Sequence, residues 1–147
     1  MRDAAKIVKQ YGMKNVLVTN GAFSEAVEES LLPYIDAMNV DLKGIREDYY
    51  RKLGGDLGTV QNFIKKAADR CHVELAALIV PGENDSREEM EEMAAWVASV
   101  NPDIPLHVNR FFPIWNMADK KATETEEVYR LAETARAYLK YVFVGNC

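Results

Sequence analysis

Met38-Asn39-Val40-Asp41-Leu42-Lys43 alternates apolar and polar residues along its whole length. In a strand the side-chain period is two. Asn39, Asp41 and Lys43 then share one face, and Met38, Val40 and Leu42 the other. A parallel strand buried on both faces reads instead as continuous Val, Ile and Leu. An amide, a carboxylate and an amine near the carboxyl end of a strand point to a barrel or open α/β sheet whose mouth binds something. Val18-Thr19-Asn20-Gly21 upstream does the same in shorter form: an apolar run turns polar at its end, and a helical stretch follows.

Working outward, Asp3 to Gln10 has helical spacing and Gly12 is suited to a left-handed cap. A strand over 15–20 is followed by a helix that Ser24 can cap, running to Leu32 and stopped by Pro33. The alternating strand covers 37–43. Short helical character at 47–53 and an amphipathic stretch over 59–70 follow it. The apolar run 73–80, bounded by Pro81-Gly82, reads as a buried parallel strand. Ser86 and Glu89 form a capping box for the next helix, which Asn101-Pro102 ends. A fourth strand spans 105–111, a loop rich in aromatic residues runs from Phe112 to Lys121, and Thr123 is placed to cap a last helix to Leu139. Tyr141 to Val144 is a short terminal strand. Strand–helix units repeated about four times give an α/β fold, a partial (β/α) barrel with parallel strands each followed by a helix. No linker or repeat divides residues 1–147, so one domain is expected.

Composition narrows the function. Apolar residues make up 48% of the chain and charged residues 28%, and the formal charge is -5, which gives no broad attraction to nucleic acid. No apolar stretch approaches about 18 residues, so no membrane span is expected, and the amino terminus lacks the apolar core of a signal peptide. Two cysteines, Cys71 and Cys147, make neither a disulfide framework nor a four-thiolate metal site. A reduced, cytoplasmic setting is the simplest expectation.

Thr19 and Asn20, at the end of a strand, are site candidates, although Asn-Gly is also an ordinary turn dipeptide. Asp41 and Lys43 admit two readings. They form an internal ion pair, or Asp41 accepts from, and Lys43 donates to, a zwitterionic or carboxylate-bearing ligand. A Schiff-base role for Lys43 is disfavoured because Asp41 beside it keeps the amine protonated. The 81–86 loop supplies turn and cap chemistry, with room for ligand contact through its backbone. His107 reads as a hydrogen-bonded interior histidine, with Arg110 on the opposite strand face. Cys71-His72 reads as structural. Phe111, Phe112, Pro113 and Trp115 either cover the mouth or join the core.

Five stretches then fall in a known order: residues 18–21, 34–43, 78–86, 106–113 and 141–146. Together they resemble the carboxyl-terminal part of radical S-adenosylmethionine enzymes, in the branch of the pyruvate formate-lyase activating enzymes and their AmmeMemoRadiSam-type relatives. The resemblance implies a partial (β/α)₆ barrel that holds a [4Fe–4S] cluster and S-adenosylmethionine. Reductive cleavage of that ligand yields a 5′-deoxyadenosyl radical. In activating enzymes this radical removes a hydrogen from a backbone glycine of a glycyl radical enzyme, which makes such an enzyme or another protein substrate the implied partner. Thr19, Asn20, Asp41 and Lys43 fall where the family contacts S-adenosylmethionine.

Three departures accompany the likeness. The family's Cys-x₃-Cys-x₂-Cys run and its Gly-Gly-Glu stretch are absent from these residues, and the family places both on earlier strands. Phe112 stands where activating enzymes commonly carry a ligand-contacting histidine. The expectation is a fragment whose first strands are missing, inactive by itself and with neither cofactor bound. Its exposed edge at 15–20 is a site for self-association. The competing reading is a non-enzymatic half-barrel that binds a small ligand or pairs with another chain.

Overall fold

The computed structural model describes residues 1–147. Helix α1 (Arg2–Gln10) leads into strand β1 (Val16–Thr19), helix α2 (Glu25–Leu31) and a 3-10 turn (Leu32–Tyr34). Strand β2 (Ala37–Asp41) is followed by helices α3 (Glu47–Lys52) and α4 (Leu57–Ala68). Strand β3 (His72–Ile79) precedes α5 (Arg87–Val100), and β4 (Leu106–Arg110) precedes a second 3-10 turn (Trp115–Met117) and α6 (Thr125–Arg136). The last element, β5 (Val142–Gly145), is a full parallel member of the sheet. The sheet runs β1-β2-β3-β4-β5, every neighbouring pair parallel. This is a barrel laid open, with the first four strands each followed by a helix.

The pleat decides what is buried. Met38, Val40 and Leu42 point into the helix layer and are at most 1% exposed. Leu75, Ala77, Ile79, Leu106 and Val108 continue that face at 0% exposure, packed on Phe63, Ile64, Met93, Val97 and Leu131. Each large side chain so buried contributes on the order of 1.5–3 kcal/mol. No helix covers the other face. It carries Asn39, Asp41, Glu74, Ala76, Leu78, His107 and Asn109, all only half-buried.

Several expectations are corrected. Strand β3 is not buried on both faces: its residues alternate, and Glu74 sits on the open side because nothing closes the barrel over it. Thr123 does not cap the last helix. Its hydroxyl is buried, donating to the Ile79 carbonyl at 2.6 Å, and the helix begins beyond Glu124 and ends at Arg136. Ser24 occupies the cap position of α2 without making a side-chain cap bond, whereas Ser86 caps α5 as expected, accepting from the Glu89 N–H at 3.2 Å and donating to its carboxylate at 3.0 Å. Helix α4 starts before Thr59 because Asp56 accepts from the Thr59 N–H at 2.7 Å.

Strand β1 forms one edge of the sheet. Val16 and Val18, 69% and 75% exposed, stand on its open face, and its outer backbone edge has no neighbour in the sheet.

Candidate functional site

The site lies where β1, β2 and β3 end. Past Asp41 one more bond continues the ladder, from the Leu42 N–H to the Ala76 carbonyl at 3.0 Å, and Lys43 follows beside Asp41. The Lys43 ammonium lies 2.9 Å from the Asp41 carboxylate, and both side chains are about one-third exposed. Two buried groups grip the Lys43 backbone. Its N–H donates to the Tyr50 hydroxyl at 3.1 Å, and its carbonyl accepts from Asn84 Nδ2 at 2.7 Å. Asn84 is 2% exposed and fully used: Nδ2 also donates to the Leu78 carbonyl at 2.9 Å, and Oδ1 accepts from the Val80 N–H at 2.7 Å. One amide side chain thus ties the end of β2 to the end of β3.

The Tyr50 hydroxyl is pushed up to about 12, first by burial and then opposed in part by the Lys43 N–H it accepts from. It stays a neutral acceptor over the physiological range. Tyr49 beside it is also raised, by burial and then by the Glu83 and Glu89 carboxylates. Glu83 is lowered by the hydrogen bond from Lys52 and next by that from Lys120, which lie 2.6 and 3.0 Å from it. That carboxylate fastens the 112–121 loop and α3 to the loop after β3.

A cavity of about 330 Å³ opens beside Lys43, lined by Asn20, Tyr49, Tyr50, Leu53, Leu78 and Met117 among others. Its wall is mostly apolar, with the Lys43 amine and the Asn20 amide as polar handles. Such a space suits a ligand with a polar, charged end and an apolar body.

Of the four candidates, the structure brings three together. Asn20 and Lys43 line the cavity, and Asp41 joins them through Lys43. Thr19 does not face the mouth. It registers with Val40 on the helix face, and its Oγ1 accepts from the Gly21 N–H at 3.1 Å. It shapes the turn that presents Asn20, whose own Oδ1 accepts from the Ala22 N–H at 3.1 Å. Gly21 permits that turn: its φ is +71°, and an added Cβ would lie 3.0 Å from Val40. Asn84 and Tyr50 escaped sequence reasoning. Asn84 sits in a loop whose composition reads as an ordinary turn, and its partner Lys43 is remote in the chain.

At the opposite end of the open face, Glu74 lies between two imidazoles. His72 Nε2 is 3.1 Å from one carboxylate oxygen and His107 Nε2 is 2.6 Å from the other. His107 also stacks on Phe143 at 5.4 Å. It is the hydrogen-bonded histidine that the sequence led us to expect, with a partner that the apolar run around Glu74 had hidden.

Comparison with known proteins fits this geometry. No protein-family model matches the chain. The uncharacterized protein MJ0808 of Methanocaldococcus jannaschii is 35% identical over 150 residues, covering 99% of this chain. The chain spans 44% of the length of that relative. A domain of pyruvate-formate lyase-activating enzyme from Bacteroides vulgatus superposes with a TM-score of 0.82 at 15% identity, over 99% of this chain and 89% of that domain. The chain has the fold of a radical SAM partial barrel. Streptococcus suis SuiB, solved bound to S-adenosylmethionine, gives 0.73 at 16% identity over 98% of this chain and 34% of its own. A radical SAM methyltransferase from Sphaerobacter thermophilus gives 0.66 at 15% identity, over 91% and 41%. No helix is long and apolar enough to cross a membrane.

Proposed function

We propose that this chain is the carboxyl-terminal part of a radical S-adenosylmethionine enzyme, and that Asn20, Asp41 and Lys43 hold the amino-acid end of that ligand. One observation carries the reading. An ammonium and a carboxylate, 2.9 Å apart, stand beside a mostly apolar cavity at the carboxyl-terminal end of a parallel sheet. The ligand carries both charges itself. Lys43 has N–H groups to spare for the ligand's carboxylate, and Asp41 has a second oxygen to accept from its ammonium. Asn20 offers an amide N–H at the cavity wall, while Thr19 acts from behind by fixing the turn. Tyr50 and Asn84 prevent Lys43 from retreating, so binding costs little reordering.

S-adenosylmethionine, when bound, supplies one-electron chemistry. A [4Fe–4S] cluster does not fit this chain's own residues. Cys71 precedes β3 at the amino-terminal end of the sheet, its Sγ lies 3.6 Å from the Ala67 carbonyl it donates to, and burial pushes its thiol up. Cys147 follows β5 at the opposite end. Thiolates for a cluster would come from a further segment. The likeness to the Bacteroides vulgatus domain favours the glycyl-radical-activating type, with a protein as substrate.

Isothermal titration with S-adenosylmethionine tests the assignment, in a chain that joins this segment to a cluster-binding one. Asp41→Asn and Lys43→Met should each weaken binding by about 1–3 kcal/mol, the worth of a hydrogen bond to a charged group. Iron content should stay unchanged. Normal binding by both variants would leave the pair as a purely structural ion pair and sink the assignment.

A further inference from the structure

A second cavity opens beyond the first, under the loop that follows β4. It measures about 550 Å³ and meets the first at Leu78 and Met117, which line both. Its walls include Phe112, Ile114 and Trp115, and no carboxylate lines it. Its one charged group is Arg110.

Arg110 differs from the other cations near the mouth. Lys43, Arg46, Lys52 and Lys120 are each paired with a carboxylate. The Arg110 guanidinium uses only Nε, donating to the Thr123 carbonyl at 2.7 Å. Its Cζ lies over the Phe112 ring, 4.7 Å from the centroid. These two contacts fix the group while leaving both terminal nitrogens free to donate. In a chain with a formal charge of -5, a rigid guanidinium with no anion beside it stands out. A planar fork held this way is preorganised for two parallel hydrogen bonds to an oxyanion.

The backbone adds a separate observation. Only Trp115 and Asn146 among non-glycine residues have positive φ, at 48° and 62°, and both line this cavity. Left-handed backbone is costly for a tryptophan and persists where surrounding structure enforces it. Here Trp115 stands 87% exposed at the rim. Asn146 Nδ2 donates to the Arg110 carbonyl at 3.3 Å, steadying the residue that carries the guanidinium.

We propose that Arg110 anchors the oxyanion of an amphipathic ligand, a carboxylate or phosphate on an aromatic or aliphatic body, whose body packs against Phe112, Ile114 and Trp115. This site adjoins the Asn20–Lys43 cavity along Leu78 and Met117 but takes its charge from Arg110, and the proposal holds whether or not the first cavity takes S-adenosylmethionine.

The test uses the 147-residue chain with Trp96→Phe, so that Trp115 is the only indole, and follows its fluorescence. 4-Phenylbutyrate should bind saturably. 4-Phenylbutanol, the same body without the charge, should bind at least about tenfold more weakly, as should inorganic phosphate, the anion without the body. Arg110→Gln should weaken 4-phenylbutyrate by about tenfold or more, and Arg110→Lys, which keeps charge but not the fork, by less. Thermal midpoints confirm that both variants fold. Equal binding of acid and alcohol, indifference to Arg110→Gln, equal loss in both variants, binding of phosphate as tight as the acid, or no response to the acid would each overturn the proposal.

Discussion

At the carboxyl-terminal end of the open face an ammonium meets a carboxylate at 2.9 Å; at the amino-terminal end a carboxylate meets two imidazoles at 3.1 and 2.6 Å. Asp41, Lys43, Glu74 and His107 are all about one-third exposed, and His72 more so. Their settings differ. Glu74 spends both oxygens on His72 and His107, and neither Glu74 nor His107 lines any of the larger cavities. Asp41 and Lys43 keep unused donors and acceptors, stand beside a cavity, and rest on a backbone gripped by Tyr50 and Asn84. An ion pair by itself therefore separates nothing. Spare hydrogen-bonding capacity and a fixed backbone mark the end that can take a ligand.

The sharpest way to break this contrast is Asn84→Ala. It leaves the Val80 N–H and the Lys43 and Leu78 carbonyls without their partner, so we expect a loss of about 3 kcal/mol in urea unfolding. Lys43 should loosen as well. A loss within 0.5 kcal/mol, the usual range for surface changes, would mean that Asn84 does not hold the strand ends together.

Tyr50→Phe should cost less, about 1–2 kcal/mol, by removing the acceptor for the Lys43 N–H. Its pH signature is separate. Because the folded value lies near 12 and the ordinary value is 10.0, folding favours the protonated phenol. That contribution is full below pH 10 and is lost as pH rises through about 12. The alkaline fall in stability should shrink in Tyr50→Phe. Phenolate absorbance appearing wholly near pH 10 would contradict the burial of Tyr50.

Glu74 offers the counterpart on the acid side, with a smaller effect. Its carboxyl is lowered from 4.5, first by the His72 hydrogen bond and then by that of His107. Its contribution is present above 4.5 and fades as pH falls through the lower folded value. Solvent screening at this exposure keeps it to about 1 kcal/mol or less. Glu74→Gln should flatten the acid limb of stability while leaving ligand binding at the other end untouched. An effect on S-adenosylmethionine affinity as large as that of Lys43→Met would abolish the distinction between the two ends.

The smallest expected effect concerns the β1 edge. We expect weak, concentration-dependent self-association by sedimentation, reduced by Val18→Lys. Unchanged sedimentation across concentration would remove β1 as a pairing edge.

Much of this was legible in the sequence because β2 alternates so cleanly: Met38, Val40 and Leu42 could only face the helices. Val16-Leu17-Val18 offered no such parity. Both faces of β1 are apolar, since Val16 and Val18 sit exposed on a face that no layer covers. Only the pairing of Thr19 with Val40 shows that Thr19 turns away from the mouth. Glu74 was hidden for the same reason, as one polar residue in a run that reads as buried. Asn84 was hidden because its work is long-range. Turn composition reports local geometry and carries no information about a carbonyl 41 residues earlier.

The strictly sequential, all-parallel order of the sheet also governs how the chain must assemble. No hairpin exists, so no strand can find a partner nearby in the chain. Val16 must meet Ala37, Ala37 must meet His72, Leu75 must meet Leu106, and Leu106 must meet Val142. Every ladder closes a loop containing at least one helix, and its entropy cost falls due before the hydrogen bonds form. Refolding should accordingly be slow for a chain this size, with helices gathered early and the ladders late. During that interval the apolar strands are open to other chains, and the yield of refolding should fall as concentration rises.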